Sequence, residues 1–369
     1  MSKVKGQKYK SKVKNELSCH PELGSGSADS GQARMTEGRS RNKFGMTIVT
    51  FAFFLLTLRP VFAQQVSLSI SPPLLELVIK PGKSVLIAYR IGNFGDPTIM
   101  KARVLPFVPV DSAGNIVLKE EFEGPIRFSL DNADIQLDQA VFLNTKASQQ
   151  FLLRIRVPEG APEGDYYYTF FGEAQPATGT EGTSASRAQA RIGSNILITV
   201  SRSGRVDIKG KIAQFEVLSR FTLKLFEKSW RFFDSGDKIP VILIAANEGR
   251  NLVKPQGEIV LRGNFGEKAT YKVHPQNVLS GSQRLLSATP SAEVNCDVKK
   301  PPAYCRRPIS LLLSGFFLGS YKLSTTLSFA EGAQNVFAQT SFIAFPFKFV
   351  LGLFGALFVV ALIVKRVRE

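Results

Sequence analysis

Histidine and cysteine, the side chains that most often bind metals or act in catalysis, are rare in this sequence of 369 residues. The two histidines are His20 and His274, and the three cysteines are Cys19, Cys296 and Cys305. These five side chains cannot form a histidine-rich metal site or a four-cysteine zinc site. A serine or cysteine nucleophile would depend on His274, and the sequence has no nucleophile-elbow, phosphate-loop or dinucleotide-binding motif. We therefore predict a protein that is not an enzyme and that uses no cofactor or metal.

Acidic side chains cluster between residues 120 and 138, where they could in principle bind calcium or act as a catalytic pair. The cluster consists of Glu120, Glu121, Glu123, Asp131, Asp134 and Asp138. Its spacing matches no calcium-loop pattern, so we interpret it as a solvated surface. Nothing separates one carboxylate pair from the others as glycoside hydrolysis would require, which leaves a surface hydrolase as the least favoured function.

Basic and aromatic side chains alternate in the segment RFTLKLFEKSWRFF, which holds the single tryptophan. Residues 208–345 carry 18 basic and 10 acidic side chains, whereas residues 64–207 carry 14 and 15. We take Lys224, Lys228, Trp230 and Arg231 as a candidate basic-aromatic face for an anionic envelope polymer or the lipid surface. The alternative is an ordinary sandwich strand with an apolar inner face and a basic outer face.

A first apolar run, Phe44–Leu58, has the length of a secretory signal rather than of a membrane span. Basic residues at 39, 41 and 43 precede it, and we predict cleavage between Ala63 and Gln64. Residues 1–43 then form a basic, disordered extension, and residues 44–63 the signal region. A start at Met35 instead of Met1 would give a signal of conventional length. An uncleaved signal anchor is the alternative.

A second apolar run covers residues 345–364 and contains one charge, Lys348, near its start. Twenty helical residues span about 30 Å, the thickness of a bilayer's hydrocarbon core. The basic tail, residues 365–369, predicts that this end stays in the cytoplasm and that residues 64–344 are exported. More than half of the net charge of +17 lies in the two ends of the chain. Because the remainder is exported, we expect the membrane to be a partner and nucleic acid not to be one.

The predicted topology places Cys296 and Cys305 in a compartment that permits disulfides. They enclose eight residues in CDVKKPPAYC, a loop compact enough to be closed by one bond. Cys19 lies on the other side of the cleavage site and is excluded from pairing. We predict a Cys296–Cys305 disulfide.

The exported region consists of short Val-, Ile- and aromatic-rich runs cut by Gly, Pro, Asn and Asp, which is typical of β-sandwiches. It also repeats itself. Gly82 and Asn93 return as Gly236 and Asn247 at an offset of 154 residues, and Gly-x-Tyr at residue 164 returns at 319. We predict an all-β fold of two tandem immunoglobulin-like sandwiches, residues 64–207 and 208–344, between the signal and one C-terminal transmembrane helix.

Both halves resemble a known family. The segments SPPLLELVIKPGKSVLIAYRIGNFG and RVPEGAPEGDYYYTFFGEA resemble immunoglobulin-like domains of bacterial cell-surface proteins. The segment beginning IPVILIAANEGRNLVKPQGEIVL resembles the second domain of the WxL-interacting surface proteins. The resemblance implies binding to peptidoglycan and to partner proteins. We therefore expect a single-pass membrane protein that binds an envelope polymer or another surface protein. The protein could bind through a loop end or through an exposed sheet edge to which a partner adds a strand. A periplasmic-chaperone-like binder of unfolded or strand-donating partners is the alternative.

Overall fold

The structure is a computed structural model, and it describes residues 66–176, 190–219, 221–225, 228–294, 296, 303–305, 307–330 and 332–368. The predicted N-terminal extension, the signal region and the cleavage site at Ala63 and Gln64 lie outside these residues. The all-β prediction is confirmed for the described part of the chain, which consists mostly of strands with one long C-terminal helix.

The first group of strands ends before the predicted boundary near residue 207, and its strands share no sheet with those that follow. In chain order the strands are β1 Leu68–Ser71, β2 Leu74–Ile79, β3 Ser84–Asn93, β4 Thr98–Pro109, β5 Ile116–Leu118, β6 Arg127–Leu130, β7 Ala140–Leu143, β8 Ser148–Arg156, β9 Gly164–Pro176 and β10 Ala190–Val200.

The second group of strands begins after that boundary and is followed by the helix. Its strands are β11 Gly210–Val217, β12 Phe221–Leu225, β13 Lys228–Asp234, β14 Ile239–Asn247, β15 Gln256–Gly263, β16 Lys268–Val273, β17 Gln283–Leu285, β18 Ala288–Thr289, β19 Leu311–Leu313, β20 Gly319–Ser328 and β21 Val336–Phe345. A short 3-10 turn, Ala303–Cys305, precedes β19.

Each group forms two sheets around its own core. In the first sandwich one sheet has the order β1-β3-β8-β6, and the other has the order β2-β10-β9-β4, with β5 and β7 each paired to β4. In the second sandwich β14 pairs β11, β17 and β19, and the other sheet has the order β12-β13-β21-β20-β15-β16-β18. Side chains from both sheets meet in each core because successive strand residues point to opposite faces. Examples are Phe151 of β8 against Phe170 of β9 in the first core, and Leu243 of β14 with Leu323 of β20 in the second.

The repeated landmarks of the sequence occupy equivalent positions in the two sandwiches. Asn93 and Asn247 are both buried, and each accepts a hydrogen bond of 3.0 Å from the amide two residues later while its side-chain nitrogen donates to loop carbonyls. Gly82 and Gly236 lie in equivalent four-residue turns, but only Gly82 has a positive φ, of 77°. The repeat therefore preserves the buried asparagine more strictly than the turn conformation.

A helix, α1 (Phe347–Arg368), follows β21 after Pro346. It begins two residues later than the predicted span because the last strand continues to Phe345, and it extends through the predicted basic tail. Its residues are exposed on every side although nearly all are apolar, and it is long and apolar enough to cross a membrane. A helix that is apolar all round has no aqueous face, which fits a lipid environment.

Candidate functional site

The clearest candidate for a binding site is one edge of β10. This strand pairs with β9 along its whole length, from Ala190 to Val200. On its other side β2 pairs only with residues Asn195 to Val200, in the parallel direction. Within the described part of the chain, residues Ala190 to Ser194 are therefore paired with another strand on one side only. Main-chain groups along such an edge can pair with an added strand.

The side chains of this open half-edge alternate between the core and solvent. Ile192 packs against the first core, whereas Arg191 and Gly193 are exposed. The Arg191 guanidinium lies 2.9 Å from the Glu173 carboxylate and 5.9 Å from the centre of the Phe171 ring, so it is held over its own sheet. A charged side chain on an edge strand disfavours pairing with another strand, but the Arg191 charge lies over the sheet and away from the edge.

The structure separates two of the four residues predicted to form a basic-aromatic face. Trp230 and Arg231 are consecutive on β13, so their side chains point to opposite faces of the strand. Trp230 is exposed, but the Arg231 side chain is only 19% exposed and lies 3.7 Å from Glu216 and 3.3 Å from Thr340. Lys224 and Lys228 lie near the turn of the β12–β13 hairpin, opposite Ser229 and Leu225. The sequence pattern did not account for the alternation of faces.

One face of the β12–β13 hairpin exposes apolar side chains. Phe221, Leu223 and Trp230 lie on this face by the pairing of β12 with β13, and all three are exposed. An ordinary sandwich strand, which is the alternative interpretation, would instead bury Phe221 and Leu223. The opposite face exposes Thr222 and Ser229.

The other predicted chemical residues form no common site. Three of the six residues in the acidic cluster form separate ion pairs, Glu123 with Lys119, Asp131 with Arg154 and Asp138 with Arg103. His274 Nε2 lies 2.8 Å from the Thr289 hydroxyl at the surface. Across the described residues, no group of three or more His, Cys, Asp or Glu side chains is placed to hold a metal ion.

Cys296 and Cys305 are joined by a disulfide, with their Cα atoms 5.8 Å apart. Next to the turn that this bond closes, a cavity of about 690 Å³ lies between the β13–β14 turn and the start of α1. Its apolar lining includes Phe221, Phe232, Tyr304 and Phe347. The cavity is therefore at the end of the second sandwich from which the helix leaves.

The two sandwiches are held together around Asp165 of β9. Its Oδ1 accepts hydrogen bonds from Asn251 Nδ2 at 2.8 Å and from the Thr199 hydroxyl at 2.7 Å. Its Oδ2 accepts from the Leu252 amide and from the Tyr167 hydroxyl. Burial, together with the Asp165 charge, raises the pKa of Tyr167 well above its ordinary value. A neutral Tyr167 donates to Asp165 and accepts from the Ser280 amide at 2.9 Å, so it links both sandwiches.

A second set of contacts lines a cleft of about 490 Å³ between the sandwiches. Glu76 of β2 accepts hydrogen bonds from Lys254 and, at 2.6 Å, from Asn277. Burial opposes ionisation of Glu76, but these two bonds outweigh it and hold its pKa below the ordinary value. Gly114 has a φ of 90° and leaves room for the Arg284 guanidinium, which a Cβ at that position would meet at 1.7 Å. One ion pair and one further hydrogen bond in this cleft thus fix β2 against the second sandwich.

No protein-family model and no curated protein matches this sequence. Solved structures of similar fold include the class 5 fimbriae chaperone CfaA, at 14% identity over 74% of this chain and 99% of that one, with a TM-score of 0.35. The YadV chaperone is similar at 10% identity over 74% and 98% of the two chains, with a TM-score of 0.32. The CsuC–CsuE chaperone–tip adhesion subunit complex of Acinetobacter baumannii is similar at 9% identity over 75% and 99%, with a TM-score of 0.30. These likenesses are remote, so the function has to follow from this chain's own contacts.

Sequence reasoning missed the open half-edge of β10. In ARIGSNILITV the nearly continuous apolar run begins only after Asn195. Such a run indicates that both faces of the strand are covered, but it does not indicate lateral pairing, which depends on the order of the strands in the sheet.

Proposed function

We propose that this chain is a non-catalytic, membrane-anchored protein of the cell envelope whose exported sandwiches bind an extended segment of a partner protein. The observation that carries the proposal is the half-paired β10, where residues Ala190 to Ser194 present an edge that no described strand pairs with. A partner's strand placed there would continue the sheet beyond β9 and β10, as in other cases of strand addition. α1 would tether the complex to the membrane, with its basic end in the cytoplasm.

The size of the open edge sets the expected strength of binding. Five residues extend over about 17 Å, and alternate residues direct their main-chain groups to the open side, giving about four to six groups to pair. At about 0.5–1.5 kcal/mol net for each hydrogen bond, the main chain alone supplies modest affinity. A partner must therefore add apolar side chains against the partly exposed core around Ile192. We expect partner segments with alternating apolar residues.

The rigid junction supports this function because it keeps the open edge in place. β10 is fixed at its far half by Thr199, which donates to Asp165, and by Leu197, which packs in the cluster between the sandwiches. The same Asp165 accepts from the second sandwich. A pre-ordered edge loses less conformational entropy on binding than a mobile one.

Binding of an envelope polymer through the basic-aromatic residues has weaker support. Arg231 is engaged with Glu216 and Thr340, and Trp230 faces the other way. The periplasmic-chaperone-like alternative shares the strand-binding surface with our proposal. The identity of the captured segment distinguishes the two, because a chaperone would take a strand from an incompletely folded chain.

Photo-crosslinking in intact cells tests the proposal. A benzophenone amino acid at Arg191, on the open half-edge, is expected to capture a partner protein. The matched control is the same amino acid at Lys101, which is exposed on the same sheet but lies on β4, paired on both sides by β7 and β9. Both positions flank Glu173 in the register, about 10 Å apart. Capture at Lys101 as strong as at Arg191, or none at Arg191, would contradict the proposal.

A further inference from the structure

The end of the second sandwich nearest α1 exposes large apolar side chains on two separate loops. Phe265, in the β15–β16 turn, is 74% exposed, and Phe316, in the loop before β20, is 73% exposed. The strand register places both at this end, because Gly263 is paired with Tyr321 and Gly319 with Ala344. The chain then leaves through Phe345, two residues before α1 begins.

These loops are ordered by hydrogen bonds, so their exposed side chains are held outward. The Phe317 amide donates to the Ser235 carbonyl at 2.9 Å, and the Phe317 ring is buried against Phe342 and Tyr321. Its neighbours Phe316 and Leu318 consequently face solvent. In the other loop the Phe265 amide donates to Glu267 at 3.1 Å.

Three basic residues form a row beside these loops. Arg262 is paired in register with Lys268 on one side and with Lys322 on the other, so the three lie abreast on β16, β15 and β20. All three are exposed, and among the described residues none lies in an ion pair with a carboxylate. Apolar side chains next to unpaired cations are the composition of surfaces that lie on anionic bilayers.

The start of α1 is attached to the sandwich at this same end. The Lys348 amide donates to Asp234 Oδ1 at 3.0 Å, and the Lys348 ammonium lies 2.7 Å from Asp237 and 3.3 Å from Asp234. Only Pro346 separates β21 from the helix. A helix that spans the bilayer would therefore hold the two loops at the membrane surface.

We infer that the second sandwich is seated in the headgroup layer of the bilayer that holds α1, with Phe265, Phe316 and Leu318 inserted and the Arg262 row on anionic headgroups. This inference rests on the membrane anchoring in the proposed function. It also explains why these loops are apolar when they lie at the tip of an exported domain, where burial in protein is unavailable to them. The partner on this surface is anionic lipid, and it is distinct from the protein segment expected on β10.

Depth-dependent fluorescence quenching tests the inference in the full chain, reconstituted into bilayers with and without an anionic phospholipid. With the native Trp230 replaced by Phe, a single tryptophan is introduced by Phe316→Trp, by Phe265→Trp on the other loop, by Phe354→Trp within α1, or by Phe337→Trp. Phe337 is the matched control, since it is as exposed as Phe316 but lies at the start of β21, about 27 Å of strand away from Phe345. Lipids brominated near the headgroup and near the chain end serve as quenchers.

We expect both loop tryptophans to be quenched several-fold more than Trp at 337 by the shallow bromines, and Trp at 354 by the deep ones. In neutral bilayers, or after Arg262→Gln, Lys268→Gln and Lys322→Gln together, loop quenching should fall while quenching at 354 stays. Quenching at 354 without quenching at either loop position would overturn the inference and leave the anchoring intact. A blue-shifted but unquenched loop tryptophan would likewise overturn it, in favour of a protein contact. Absence of quenching at 354 would overturn the anchoring, and the inference with it.

Discussion

The carboxylate of Asp165 is the single group on which the junction between the two sandwiches most depends, so its removal should have a large effect. It accepts four hydrogen bonds, two of them from Asn251 and Leu252 of the second sandwich. In Asp165→Ala, the Tyr167 and Thr199 hydroxyls can rotate to other acceptors. The Asn251 and Leu252 donors cannot, and they are left without a partner in a partly buried junction.

An unsatisfied buried donor costs about 1–3 kcal/mol, and more when its lost acceptor was charged. Because water reaches part of this junction, we take the lower part of that range and expect a loss of about 2–4 kcal/mol for the pair of donors. Asp165→Asn should cost nearly as much, since one of its two carboxylate oxygens becomes an NH₂ group that faces a donor. The donor that faces this NH₂ group cannot bond to the Tyr167 hydroxyl instead, because that oxygen already accepts from the Ser280 amide.

Urea unfolding of the detergent-solubilised chain measures this effect, with circular dichroism for all strands and Trp230 fluorescence for the second sandwich. In the unaltered chain we expect the two signals to change together, and in Asp165→Ala to separate as the sandwiches uncouple. Glu163→Ala is the matched control. It removes an exposed carboxylate two residues away that binds only the Arg202 amide within the first sandwich, so its effect should stay within about 0.5 kcal/mol. A loss below about 1 kcal/mol for Asp165→Ala would refute the assignment of the junction to this carboxylate.

Three further predictions concern other contacts. The pKa of Glu76 is lowered in the folded chain, so the ionised carboxylate stabilises the fold. This stabilisation should be complete above about pH 4.5 and should be lost as the pH falls through the lowered pKa. Glu76→Gln should flatten this part of the curve of unfolding free energy against pH. Replacing Cys296 and Cys305 by Ser should cost about 2–3 kcal/mol of unfolding free energy, as closing a ten-residue loop predicts, and a reductant should then have no further effect. Asp234→Ala should accelerate deuterium exchange at the Lys348 amide, whereas Asp237→Ala, which removes only a side-chain contact, should leave that exchange unchanged; equal effects would contradict the capping role of Asp234.

Much of the fold could be predicted from the sequence because it depends on local patterns. Alternating apolar residues indicate strands, and the repeat of Asn93 at Asn247 indicates two equivalent units, since each asparagine bridges its own loop by hydrogen bonds. The apolar run of residues 345–364 indicates the helix because its length and composition are also local properties. The signal region stays a prediction, as does the resemblance to WxL-interacting surface proteins.

The contacts between sandwiches could not be predicted, because they join residues far apart in sequence. Asp165 and Asn251 are separated by 86 positions, and nothing in either segment specifies the partner. The basic-aromatic face stays a prediction, but the structure separates two of its residues. Composition placed Trp230 and Arg231 together, but the two-residue period of a strand separates them onto opposite faces.

The open half-edge of β10 required knowledge of strand order as well. Its local sequence is that of any half-buried strand, and only the register of β2 shows that pairing stops at Asn195. A binding site defined by a missing neighbour leaves little trace in composition. The positive charge of residues 208–345, by contrast, is visible in the sequence, and part of it lies in the row of Arg262, Lys268 and Lys322.

Amide hydrogen exchange along β10 tests the central claim most directly, measured in the chain alone and in the complex captured at Arg191. In the chain alone, we predict faster exchange for alternate amides from Ala190 to Ser194 than for any amide from Asn195 to Val200, where β2 and β9 cover both sides. In the complex, the fast amides should slow to the rates of the covered half. Unchanged exchange from Ala190 to Ser194 in the complex, with new protection elsewhere, would contradict strand addition at this edge.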